Sequence, residues 1–224
     1  MEITISAQPS YSVAYVRLSL DEAVECETNA MVAMSLGIEV DGSLEGGVVK
    51  SAVRKVAGGE TFFRSSYRAK LQGAWVALAP KFPGDISILE LEQGDRYLVQ
   101  SGAVLANSES VDVNVRFSGL TSMIQKEGLV MSEVSGFGPL IISAYGAIER
   151  MELVDGQSLI VDTGHLVAWS ESTSIKIGPL NSVSTSAMTG EGLVGLVTGP
   201  GIVYLQTRSE RGLRQWLFPH RLDS

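Results

Sequence analysis

The sequence predicts an all-β protein in which one strand-rich unit of about 60–75 residues is written three times in tandem. Three observations predict this. The segment from Leu91 to Ser110 reappears without a gap 62 positions later, from Leu153 to Ser172. A fainter copy lies 73 positions earlier, where Asn29, Ala33 and Ser35 stand under Gly102, Ala106 and Ser108. In every copy the apolar residues recur with a period of two, the spacing of a half-buried strand. The modules so defined span residues 1–82, 83–145 and 146–224.

Taken in order, each module opens on an alternating segment: Val16, Leu18 and Leu20, then Leu89 and Leu91, then Met151 and Leu153. A turn follows at Asp21, Gly94 and Gly156, and a second at Asn29, Gly102 and Gly164. Asp and Asn are among the few residues besides Gly that tolerate the left-handed region, so each set is expected to share a positive φ. A further alternation comes next, at Ile38 and Val40, at Val111, Val113 and Val115, and at Ile175 and Ile177. Apolar spacing of three and four then predicts short helices over Leu44 to Val56, Leu120 to Ile124 and Val183 to Met188, with Gly58-Gly59 stopping the first. Each is followed by an acid (Glu60, Glu127, Glu191) and a pair of strands, with tight turns at Gly136-Phe137-Gly138-Pro139 and Gly199-Pro200-Gly201.

The bulk chemistry narrows the function. With 224 residues, 45% hydrophobic and 19% charged, the chain has the composition of a globular protein with a sizeable core. A formal net charge of -8 repels polyanions and counts against nucleic acid as the main partner. Cys26 is the only cysteine, which excludes an internal disulfide and a Cys-rich zinc site. Met1 to Gln8 carries Glu2 and no long apolar run, unlike a secretory signal, and no stretch approaches about 18 apolar residues. The expected location is the cytoplasm.

The C-terminal segment departs from the acidic average. Arg208, Arg211, Arg214 and Arg221 alternate with Leu213, Trp216 and Leu217 at helical spacing. Such a basic amphipathic tail either docks its Leu/Trp face on the body or presents Arg208, Arg211, Arg214 and Trp216 to a partner, a second subunit or an anionic surface.

Several motifs are specific enough to suggest a family. Val49 to Ala57 followed by Gly58-Gly59-Glu60-Thr61-Phe62-Phe63, and Phe82-Pro83-Gly84-Asp85-Ile86, form a first-module signature. Val161-Asp162-Thr163-Gly164-His165-Leu166-Val167-Ala168-Trp169, Gly190-Glu191-Gly192-Leu193-Val194 and Thr198 to Thr207 form a third-module signature. Together they resemble the altered-inheritance-of-mitochondria (mitochondrial biogenesis) family, whose fold is similar to the tryptophan RNA-binding attenuator protein. The resemblance implies three β-sandwich-like modules around a pseudo-threefold axis. It carries over no catalytic residue. In the second module, Ser143-Ala144-Tyr145-Gly146 lacks the usual Leu-Gln ending.

Residues that invite chemistry have plainer readings. Gly190-Glu191-Gly192-Leu193-Val194-Gly195 fits a dinucleotide fingerprint only on paper, because a turn and not a helix follows it. His165 and His220 are the only histidines, too few and too far apart for a cupin-like metal cluster. His165 is expected to satisfy backbone in its turn, with an Asp162 contact conceivable. Cys26 aligns with Val99 and Val161 and reads as a buried small hydrophobe. Glu60, Glu127 and Glu191 recur at one module position and read as local caps, or as an axial cation-binding cluster. Phe62, Phe63 and Tyr67 beside Arg64 and Arg68 read as a core face with arginines at its rim, or as an interface hot spot. No catalytic residue, cofactor or metal is expected.

The expected function is that of a non-enzymatic scaffold or protein-interaction protein, homo-oligomeric and with an unidentified protein partner. Peripheral contact with a membrane remains compatible with the basic tail. The alternatives are a single-stranded nucleic-acid binder and a small-ligand or metal-binding cupin-like protein.

Overall fold

The computed structural model of the chain describes residues 1–41, 54–55, 61–62, 64–115, 131–179 and 193–219. Its first third contributes strands β1 (Glu2–Ser6), β2 (Val13–Arg17), β3 (Ala23–Glu27), β4 (Met31–Met34), β5 (Ile38–Asp41), β6 (Arg54–Lys55), β7 (Thr61–Phe62), β8 (Arg64–Ala69) and β9 (Trp75–Leu78). The second contributes β10 (Ile86–Leu91), β11 (Arg96–Gln100), β12 (Val104–Ser108), β13 (Val111–Val115), β14 (Met131–Gly136) and β15 (Gly138–Ser143). The last contributes β16 (Ile148–Leu153), β17 (Ser158–Asp162), β18 (Leu166–Ser170), β19 (Ser174–Pro179), β20 (Leu193–Thr198) and β21 (Gly201–Gln206), then helix α1 (Glu210–Leu217). The protein is therefore all-β, built of antiparallel sheets.

The pairing follows one scheme. Strand β9 lies between β2 and β4, β15 between β10 and β12, and β21 between β16 and β18. Strand β8 lies between β3 and β5, β14 between β11 and β13, and β20 between β17 and β19. A register shift recurs at Met31/Ala33, Val104/Ala106 and Leu166/Ala168, which are corresponding positions in the sequence copies. A bulge kept at one place in three strands sets the same local bend each time.

Two further pairings join successive thirds. Strand β3 pairs with β12 through Cys26↔Ala106, and β11 pairs with β18 through Val99↔Ala168. They fuse three-stranded ladders into two six-stranded sheets, β10-β15-β12-β3-β8-β5 and β13-β14-β11-β18-β21-β16. The remaining sheets are β1-β2-β9-β4, β17-β20-β19 and the small β6-β7 ladder.

The core is shared in the same way. One cluster packs Val16, Val24, Cys26 and Leu78 of the first third with Ile86, Leu105 and Ile141 of the second. A second packs Val99, Val134 and Leu140 with Val167 and Tyr204 of the third. Burying each such side chain is worth about 1.5–3 kcal/mol, so the inter-strand joints are also hydrophobic joints.

The backbone at the junctions approaches closely. Ser12 N donates to Gly84 O (3.0 Å), and Asp85 N donates to Gly146 O (2.8 Å). A Cβ at Gly84 would lie 1.7 Å from Ala144 O, so that position admits only glycine. Buried Asp85 takes hydrogen bonds there from Gln8 Nε2 (3.1 Å), Ser12 Oγ (3.1 Å) and Ile86 N (2.9 Å).

Some expectations from sequence need correction. Asp21, Gly94 and Gly156 do share a positive φ (63°, 101° and 75°), but the second set does not. Asn29 has φ 69°, whereas Gly102 and Gly164 sit in 3-10 turns, Ser101–Ala103 and Thr163–His165, where φ is negative. The alternation at Val16, Leu18 and Leu20 ends early: β2 stops at Arg17 and Leu20 is exposed as the chain turns at Asp21. Met151 is also exposed, although its counterpart Leu89 is buried. The helix expected over Leu44 to Val56 gives way at Arg54–Lys55 to a strand paired with Thr61–Phe62; the flanking valines favour extended backbone. The rest of that segment, both other expected helices, the acids Glu60, Glu127 and Glu191, Phe63, His220 and Arg221 lie outside the described residues.

Candidate functional site

Four places on the molecule can be asked what they do: a polar notch, the His165 turn, helix α1 and an exposed sheet edge.

The notch gathers Glu27, Lys81, Phe82, Gln100, Tyr145 and Gln206, which come from all three thirds. The rings of Phe82 and Tyr145 stand 5.5 Å apart, and Lys81 Nζ lies 5.3 Å from the Phe82 centroid. Gln206 accepts from Tyr145 N (3.0 Å) and donates to Gly164 O (2.9 Å). The notch encloses about 80 Å³, against the several hundred Å³ typical of a small-molecule site.

His165 Nδ1 lies 2.6 Å from Gln206 O, so one ring nitrogen engages backbone, of strand β21 and not of its own turn. Asp162 does not meet the ring; its Oδ1 accepts from Gly164 N (2.8 Å) and caps the 3-10 turn. Cys26 is buried in the first core cluster. Tyr67 is buried too, while Arg68 reaches out from β8 to Glu109 and to the carbonyl of Asp21. Among the described residues no three His, Cys, Asp or Glu side chains group to hold a metal.

Helix α1 carries the predicted contact residues. Ser209 caps it, its side chain accepting from Gly212 N (3.2 Å), and Arg214 pairs with Glu210 one turn earlier (3.4 Å). The helix does not dock a Leu/Trp face on the body. Of its apolar residues Leu213 is half-buried, whereas Trp216 is 77% exposed and Leu217 and Phe218 are exposed beside it. Helical spacing also divides the predicted set: Arg211 and Arg214 share one side and Trp216 the opposite one, with Arg208 before the helix. No helix among the described residues is long and apolar enough to cross a membrane.

The exposed edge is β4, which the sequence reading did not single out. It pairs with β9 on one side, and among the described residues nothing pairs on the other. Met31, Val32 and Met34 are all exposed there, Val32 by 61%. At the corresponding positions Leu105 and Val167 are fully buried, because β12 lies against β3 and β18 against β11. Strand β17 is the complementary case: β20 covers one side, among the described residues nothing pairs on the other, and Ile160 is exposed. The signal was present in the sequence. A terminal copy that keeps apolar residues at a position buried by its predecessor must leave them uncovered.

Comparison with known proteins places the chain. A protein of Streptococcus pyogenes serotype M6, described as uncharacterized, is 27% identical over 215 residues, covering 92% of this chain and 86% of that one. The crystal structure of protein SPYM3_0169 from Streptococcus pyogenes superposes with a TM-score of 0.76 at 26% identity, covering 98% of this chain and 99% of the other. The family model described as mitochondrial biogenesis AIM24 matches residues 3–208. That span is most of the chain, so the chain belongs to the AIM24 mitochondrial biogenesis family.

Proposed function

We propose that this protein is a non-enzymatic interaction protein that assembles with further copies of itself and works as a cytoplasmic scaffold. The observation that carries the reading is the apolar edge at Met31, Val32 and Met34, which no described residue covers. Monomeric proteins blunt their edge strands with charge, proline or a covering loop, and β4 has no charged residue or proline. The exposed Trp216 side of α1 supplies a second surface, suited to an unrelated protein partner through an aromatic anchor.

The chemistry supports the same reading. His165 Nδ1 is engaged by backbone, Cys26 is buried, and the notch is small beside a typical drug-sized ligand site. Static light scattering at micromolar concentration tests the proposal. A mass that is a multiple of 23.9 kDa agrees with it, and a strict monomer overturns the self-association.

A further inference from the structure

We infer that copies of this chain join head to tail, β17 of one copy pairing antiparallel with β4 of the next, in the register already used twice inside the chain. The inference rests on the self-association proposed above and specifies its contact. Both internal junctions have the same form. The first pairs Ala106 with Cys26, Asn107 with Glu25 and Ser108 with Val24. The second pairs Ala168 with Val99, Trp169 with Leu98 and Ser170 with Tyr97. The sequence shifts of 73 and 62 carry one set onto the other: Cys26 corresponds to Val99, and Ala106 to Ala168.

Extended once more, the same shifts name a third junction. Ala33 faces Val161, Met34 faces Ile160 and Ser35 faces Leu159. Those residues belong to β4, the residue after it, and β17, the two strands whose corresponding edges are occupied elsewhere and, among the described residues, unpaired here. Within one chain they lie in separate sheets and do not pair. A second copy supplies what each lacks.

The side chains agree with this occupant. In the second internal junction Trp169 is buried and Leu98 packs against the same core cluster. Their counterparts Met34 and Ile160 are apolar as well, yet 40% and 44% exposed. Facing each other they would close an apolar pair of the kind already built between Trp169 and Leu98. The contact uses a different patch on each copy, so it is heterologous and generates a ring or a filament, not a twofold dimer with one shared patch.

The test uses single cysteines. Residues directly opposite in an antiparallel pair have Cα atoms about 4.5–5.5 Å apart, within the range a disulfide spans. Met34→Cys and Ile160→Cys are made separately at exposed positions, and native Cys26 is buried and does not compete. The two variants are mixed, oxidised mildly and run on a non-reducing gel. The expected result is a disulfide-linked dimer in the mixture and in neither variant alone. A double variant carrying both cysteines should give linked multimers. A purely internal disulfide in the double variant, at monomer mass, overturns the inference, since the chain would then close on itself. If no disulfide forms while light scattering still gives an oligomer, the edge contact fails and self-association through another surface stands. A monomer by both methods overturns both.

Discussion

Ser12 Oγ donates a hydrogen bond of 3.1 Å to Asp85 Oδ1 in a buried site where the start of β2 meets the start of β10. The same carboxylate takes Gln8 and the amide of Ile86, and its Oδ2 lies 3.5 Å from Ile148 N at the start of β16. One side chain thus ties together the openings of all three thirds. Asp85→Ala removes an ionised acceptor and leaves the buried Ser12 hydroxyl without it. Hydrogen bonds to charged groups are worth about 1.5–3 kcal/mol, and the expected loss is about 2–3 kcal/mol in urea unfolding. Ser12→Ala, which removes only one donor, should cost about 1 kcal/mol.

The turn glycines give a second prediction. Gly94 has φ 101° in open space, and Gly102 has open space without a left-handed φ. Gly94→Ala should therefore cost about 1 kcal/mol from backbone strain, while Gly102→Ala should be neutral or slightly stabilising. Denaturant midpoints of the two variants check this. Equal losses at both positions would contradict the 3-10 assignment.

Val32 and Leu105 occupy corresponding places with opposite burial. Leu105→Lys puts a charge in a filled core and should prevent folding, a loss above about 4 kcal/mol. Val32→Lys should leave the circular dichroism spectrum native and abolish the oligomer seen by light scattering. Loss of structure in the Val32 variant would mean that β4 is covered within its own chain.

Burial, then the nearby Cys26 thiol, pushes the Tyr67 phenol up; burial, then Tyr204, pushes Tyr97 up. A group whose folded-state pKa is raised contributes stability that is complete below its unfolded value, about 10, and is lost as pH rises through the folded value. Stability should therefore fall with rising pH above about 10. Tyr67→Phe and Tyr97→Phe should each flatten that fall. Unfolding midpoints at a series of alkaline pH values read the difference.

Trp216 and Leu213 separate docking from display on α1. Trp216→Ala should change stability by less than about 0.5 kcal/mol, because the ring touches little. Leu213→Ala should cost about 1 kcal/mol from its half-buried side chain. A large loss at Trp216 would mean the helix is seated on the body after all.

Much of the fold was legible in the residues. Gly94 over Gly156 and Val99 over Val161 located corresponding strands because a period of two and a turn glycine are local properties. The Gly102 turn was misread, since Asn and Gly suit both a left-handed turn and a loop entering a 3-10 turn. Arg208, Arg211, Arg214 and Trp216 pointed to the right segment, but spacing alone did not show that Trp216 and Leu217 stay exposed while Leu213 is half-buried. The β4 edge was missed because Met31, Val32 and Met34 look like ordinary strand residues. Whether a strand edge is covered depends on what precedes it in space, which no local pattern records.

Native-state amide hydrogen exchange, followed as a function of protein concentration, tests the central claim most directly. The account predicts that the open-edge amides of β4 and β17 exchange quickly at high dilution and become protected together as concentration rises, while the β12 and β18 amides stay protected throughout. Fast exchange at β4 and β17 at every concentration would contradict it.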